Sequence, residues 1–222
     1  QRQMCIRDSF RTAYRNRETN TAPYIAGISR PAMQKNSFLL DALPKTVWIG
    51  GTEFAIETDY RAALRFTRLM QEPAPDWIKM DIALQIFFGD APVENVPEAA
   101  RAMMDFYRGG KPESQTETKN AKRTYDFAWD AEYIYAAFLQ QYGIDLQSVS
   151  YLHWWKFRAL FAGLSEDTQI MKIMGYRAIE ITGDMPKEQK RRYQRLKQMY
   201  ALPDNRTEEE KERDFAAALL NL

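Results

Sequence analysis

Residues 130–164 read DAEYIYAAFLQQYGIDLQSVSYLHWWKFRALFAGL, and this stretch decides the fold class. Ala131, Ile134, Tyr135, Phe138, Leu139 and Tyr142 recur at the i, i+3, i+4, i+7 spacing of one helix face. Asp130 stands where a cap is needed and Gly143 where a left-handed terminator fits. A second helix, predicted to open at Ser148 or Ser150, carries Leu152, Trp154, Trp155, Phe157, Leu160 and Phe161 and closes at Gly163. Two adjacent aromatic-rich amphipathic helices need further helices to cover them, which points to a mainly α protein.

The pattern continues in both directions. Downstream, Ser165 with Glu166 and Asp167 is read as the start of a helix bearing Ile170, Ile173, Met174 and Ile181. Pro186 suits the first turn of the next, and Thr207 with Glu210 forms a capping box for a last helix through Phe215, Leu219 and Leu220. Upstream, Thr58 or Asp59 caps a helix to about Gln71. Pro73 and Pro75 separate it from a helix in which Trp77, Ile78, Ile82, Leu84, Phe87 and Phe88 occupy most of the circumference. So apolar a helix is expected at the centre of the core. A shorter helix is predicted from Glu98 to Arg108, closed by Gly109-Gly110. Before all of these, VWIGGTEFAI at 47–56 alternates apolar and polar residues across Gly50-Gly51, a β-hairpin signal. The expected fold is a single mainly α, bundle-like domain of about seven to eight helices with one N-terminal β-hairpin. Residues 109–124, GGKPESQTETKNAKRT, carry no apolar stripe and read as a mobile linker or exposed loop within it.

Residues 1–32, beginning QRQMCIRDS, have no sustained period and are read as an extraneous or disordered leader. Met33 opens MQKNSFLLDALP, so the domain is expected to run over 33–222.

The chain has 222 residues, 45% of them hydrophobic and 13% aromatic, enough for a core without metal or disulfide staples. Lys and Arg total 31 against 30 Asp and Glu, a net charge of +1, so no global basic excess favours nucleic acid or an anionic membrane. Cys5 is the sole cysteine and His153 the sole histidine, which excludes an intramolecular disulfide and thiolate or imidazole metal clusters. No run approaches the roughly 18 apolar residues of a membrane helix.

The groups that carry chemistry elsewhere have simpler readings here. His153 beside Trp154 and Trp155 lacks a nucleophile motif such as G-x-S-x-G, so a hydrogen-bonded or surface imidazole is favoured over a general base. Asp126, Asp130 and Glu132 resemble an acid–base or cation cluster, but Asp130 at a helix start is read first as a cap. Neither Gly-Gly pair has the spacing of a phosphate loop. No catalytic residue, cofactor or metal is therefore assigned. The run KEQKRRYQRLK at 187–197 reads as a surface helix with a solvated basic face, which the acidic TEEEKER stretch complements. The aromatics at 154–161 are read mainly as core, with any outward tryptophan a protein-contact candidate.

Three stretches carry a family resemblance. LPKTVWIGGTEFAIETDYR, then DAEYIYAAFLQQYGIDL with YLHWWKFRALFAGL, then IMGYRAIEI with MPKEQKRRYQRLKQMYALP, are similar to the bacteriophage gene-product-fifteen family of phages and prophages of low-GC Gram-positive bacteria. The resemblance covers about residues 38–222. It implies a gene near those of the major tail protein and tape measure, with no enzymatic activity to carry over. The role it implies is tail morphogenesis. A chaperone-like factor would bind the tape-measure or tail-tube protein in the cytoplasm of the bacterial host during assembly. The alternatives are a virion component of the head–tail junction or tail terminator, and a nucleic-acid-binding protein using helix 187–197. A homo-oligomer is admitted; a membrane is not expected. Contact is expected mainly from the C-terminal half, Asp130 to Tyr200, with the exposed members of Tyr151, Trp154, Arg158, Arg191 and Arg195 as candidates.

Overall fold

A computed structural model describes residues 38–111 and 123–203. The expected leader, Cys5, most of the expected linker and the last expected helix lie outside the described residues.

The hairpin pairs β1 (Thr46–Ile49) antiparallel with β2 (Thr52–Ala55), in the register Thr46↔Ala55, Val47↔Phe54, Trp48↔Glu53 and Ile49↔Thr52. Gly50 and Gly51 turn it with φ of +58° and +80°, the two consecutive positive angles that a tight hairpin requires. Ile49 faces the core and Val47 and Phe54 pack against it, whereas Trp48 on the opposite face is exposed. The described residues hold no other sheet than this two-stranded one.

Seven helices follow among the described residues: α1 (Tyr60–Leu69), α2 (Asp76–Phe88), α3 (Val96–Tyr107), α4 (Ala131–Tyr142), α5 (Trp154–Ala162), α6 (Gln169–Ala178) and α7 (Lys187–Met199). The mainly α fold with one N-terminal hairpin is thus the one expected from the sequence. The hairpin lies on α3 through β1, α1 packs on α2 and α5, α2 on α3, and α4 on α5 and α6, with α7 reached through α6. One cluster of buried side chains joins both halves of the chain, including Ile49, Phe66, Phe87, Met103, Phe138, Phe157 and Ile170.

Several element boundaries differ from expectation. The helix expected from Ser148 or Ser150 begins at Trp154, because Asp145 organises the preceding turn, its carboxylate accepting from Gln147 N at 2.8 Å and its carbonyl from Ser148 N at 3.2 Å. The helix expected from Ser165 begins at Gln169, after a turn in which Thr168 Oγ1 and N both donate to the Ser165 carbonyl. It ends at Ala178, so Ile181 is not part of it. Asn95 caps α3, accepting from Glu98 N at 3.2 Å, which moves its start to Val96.

The largest departure is α2. Met80, Ala83, Phe87 and Phe88 are buried, but Trp77 is 64% and Ile82 39% exposed. At 100° per residue, Trp77, Ile78, Asp81, Ile82 and Gln85 fall on the side opposite Met80, Ala83 and Phe87. The helix expected at the centre of the core is therefore peripheral and leaves two large apolar side chains, Trp77 and Ile82, in solvent on either side of Asp81 and Gln85.

The α1 and α5 N-termini meet. Tyr60 N donates to the Leu152 carbonyl at 2.9 Å and Trp154 N to the Thr58 carbonyl at 2.7 Å, a short antiparallel bridge centred on Asp59 and His153. Asp59 caps α1 by accepting from Arg61 N at 3.0 Å and also takes Leu152 N at 3.1 Å. One carboxylate thus serves unpaired amides of both segments, where the positive ends of two helix dipoles approach each other.

Candidate interaction surface

The side chains that looked most chemical in the sequence are used inside the fold. Asp130 is fully buried and makes no capping hydrogen bond. The capping reading is corrected: its two oxygens receive Arg177 Nη1 at 2.6 Å and Nη2 at 2.8 Å, and one also accepts from Asp126 N at 2.9 Å. Arg177 completes its set by donating to the carbonyls of Thr124 at 2.9 Å and Tyr200 at 2.6 Å. A buried carboxylate without such a partner would be strongly penalised, and the bidentate guanidinium is what makes the position tenable. Asp126 faces Arg123 and accepts from the amides of Ala128 and Trp129, both at 2.7 Å. Every carboxylate oxygen of the pair is thereby committed. Glu132 is exposed and outside this network. Among the described residues no group of three or more His, Cys, Asp or Glu side chains is placed to hold a metal ion.

His153 is buried and caps α5. Its Nδ1 accepts from Trp155 N at 3.0 Å, which leaves Nε2 to donate to the Pro44 carbonyl at 3.0 Å. Acceptance at Nδ1 requires the neutral ring, and burial pushes the imidazole below its ordinary range, with Lys156 and Lys45 adding to the effect against the Pro44 bond. The imidazole is a structural cap.

Trp154 and Trp155 end another helix. Their indole N–H groups donate to consecutive carbonyls at the end of α3, Trp154 to Tyr107 and Trp155 to Phe106, each at 2.8 Å. Arg158 adds a bond to the Tyr107 carbonyl at 3.1 Å, placing a cation at the negative end of α3. Gly109, at φ +79°, passes so close to Arg158 Nη1 that a Cβ there would stand 2.5 Å from it. Trp154 is 2% exposed, so this contact candidate is corrected to a core residue. Arg158 is half-buried and held in place.

The remaining candidates lie on the surface without meeting at one site. Tyr151 is 47% exposed, and its hydroxyl bonds the buried Thr58 hydroxyl at 2.7 Å. Arg191 and Arg195 are exposed on α7, a helix with no buried residue. Sequence reading missed two features. One is the outward Trp77–Ile82 face of α2. The other is a groove of about 400 Å³ along α1, lined by Arg61, Arg65 and Arg68 and by the apolar Leu64, Phe127 and Leu146. The 61, 65, 68 spacing was legible as one helix face; that a groove runs beside it was not, because its far wall comes from residues 127–128 and 146–147.

No helix among the described residues is long and apolar enough to cross a membrane. No curated protein and no solved structure matches the chain. A family match does extend over residues 39–202, spanning the hairpin, all seven helices and both walls of the groove. The chain belongs to the family described as Bacteriophage Gp15 protein.

Proposed function

We propose that the protein is a non-enzymatic phage tail-morphogenesis factor that holds a tail partner, the tape-measure or tail-tube protein, in the host cytoplasm during assembly. The observation that carries this reading is the outward face of α2, where Trp77 and Ile82 stay in solvent on a well-formed helix within a phage-family fold. An exposed tryptophan on a regular helix is the kind of side chain that anchors an interface, and an amphipathic helix of a partner is a fitting complement. Arg191, Arg195 and Tyr151 supply further surface contacts. The domain is taken as residues 33–222, with 1–32 outside it.

Co-expression with the cognate tape-measure protein tests the reading. Wild type should keep that partner in the soluble fraction and co-purify with it. Trp77→Ala with Ile82→Ser should weaken co-purification by ten-fold or more, the scale of one interface anchor, while leaving the circular dichroism spectrum unchanged. No association with either tail protein under conditions where both fold rejects the reading. Recovery of the protein in stoichiometric amounts from purified particles replaces it with a virion component.

A further inference from the structure

The arginine groove on α1 has a charge and an apolar lining that the tail-assembly reading does not use. Arg61, Arg65 and Arg68 lie along one side, and no acidic residue lines the groove. Arg61 is engaged with Asp59 at 3.2 Å and with the Val149 carbonyl at 2.6 Å. Arg68 meets Glu72 at 3.7 Å in an exposed pair, which contributes little. Arg65 is exposed and makes no hydrogen bond or ion pair with any described residue. Leu64, Phe127 and Leu146 add apolar lining to the same groove. An occupant of this groove should therefore be acidic and amphipathic.

The chain itself contains such a segment. Residues 204–222, DNRTEEEKERDFAAALLNL, carry six acidic against three basic side chains, followed by Phe215, Leu219 and Leu220. Hydrogen bonds link their point of departure to the 124–130 segment, part of which lines the groove. The Tyr200 carbonyl, three residues before the last described position, is bound by Arg177, whose guanidinium also binds Thr124 and Asp130. Phe127 and Ala128, between those two residues in sequence, form one wall of the groove, and Arg123 crosses to Gln71 on its other side at 3.4 Å. Nineteen residues reach about 28 Å as a helix and more if extended, against about 10 Å from Arg61 to Arg68 along α1. Covalent tethering gives the segment a millimolar effective concentration, so modest affinity suffices.

We infer that residues 204–222 dock in the Arg61–Arg65–Arg68 groove of their own chain, with the glutamates at 208–210 against the arginines and Phe215 and Leu219 over the apolar lining. The basic α7 is the competing surface for the same acidic segment. It carries more charge, but among the described residues none of its side chains is buried. This inference stands apart from the tail-assembly reading and does not depend on it.

The test uses the full chain with Cys5→Ser and spin labels at Gln147→Cys and Ala217→Cys. Double electron–electron resonance should give a single narrow distance peak. Arg65→Glu with Arg68→Glu, both on exposed positions, should broaden that peak, and adding Glu208→Arg with Glu209→Arg should restore it. Arg191→Glu with Arg195→Glu should leave it narrow. A broad distribution in the parent protein overturns the inference, as does a narrow peak indifferent to Arg65 and Arg68. Broadening by the α7 reversals alone assigns the segment to α7 instead. A short distance between singly labelled chains mixed together assigns the groove to a second copy.

Discussion

Replacing Asp130 by Asn separates the two roles this residue can play. Asn and Asp are equally good at the cap position, so a capping Asp130 would tolerate the change at almost no cost. The structure instead buries the carboxylate completely against Arg177, itself 5% exposed, through bonds of 2.6 and 2.8 Å. Asn removes the charge and turns an amide N–H₂ toward the guanidinium, leaving a buried cation whose remaining partners are the Thr124 and Tyr200 carbonyls. Breaking a buried pair in this way costs about 3–5 kcal/mol. With a urea m-value of about 2 kcal/mol/M, the midpoint should fall by roughly 2 M. Equilibrium unfolding of the full chain, followed by far-ultraviolet circular dichroism and tryptophan fluorescence, reads this directly. Arg177→Met and the double variant complete a cycle, whose coupling should be about 2–3 kcal/mol for groups in direct contact. A loss below about 1 kcal/mol for Asp130→Asn, or a coupling near zero, would refute the assignment.

Other outcomes follow from the same structure. Gly51→Val should cost about 1–2 kcal/mol from its φ of +80° alone, since no atom lies within 4 Å of a Cβ there; Gly51→Asn should cost less, and equal losses in thermal melts would point to a packing cause instead. His153 has its pKa lowered in the fold, so the unfolded chain binds the proton more readily, and stability should fall as pH drops below about 6.5 while staying flat just above it. As the chain has one histidine, urea midpoints between pH 7.5 and 5.5 should lose that dependence in His153→Gln, whatever the variant's absolute stability. Arg191→Glu with Arg195→Glu should change stability by less than about 0.5 kcal/mol, as both are exposed, and any large drop in melting temperature would place them in the fold.

What could be read in the sequence was whatever local chemistry settles. Gly50-Gly51 between alternating residues specifies a hairpin because few other residues accept two positive φ values in succession. The 134, 138 and 142 spacing with Gly143 specifies α4 and its left-handed end at φ +64°. What failed depended on partners distant in sequence. Asp130 meets Arg177 47 residues on, and the indoles of Trp154 and Trp155 meet carbonyls 47 and 49 residues back. Ser148 and Ser150 are better intrinsic caps than histidine, yet α5 is capped by His153, because the bridge to Asp59 and the bond to Pro44 also fix the chain there. On α2, an apolar circumference was equated with full burial. The core presses on one side only, and nothing in the helix itself states how many neighbours it will have.

This pattern bears on where contact with another protein is to be sought. The lone histidine, the tryptophan pair and the acid cluster are the residues a sequence reader would first call functional. Each proves to terminate a helix or tie two segments together, because a buried backbone amide or carbonyl at a helix end must find a partner, and these side chains bring a polar group attached to a ring or a short stem. Their polar atoms are already taken up, so they have little left to offer a partner. Side chains that stay exposed include Trp77 and Ile82 on α2, Arg65 on α1, and Arg191 and Arg195 on α7, with Trp48 and Trp129 beside them in kind. Trp77 and Ile82 lie before Asp130, so the proposed partner surface takes in α2 as well as the exposed positions of the C-terminal half.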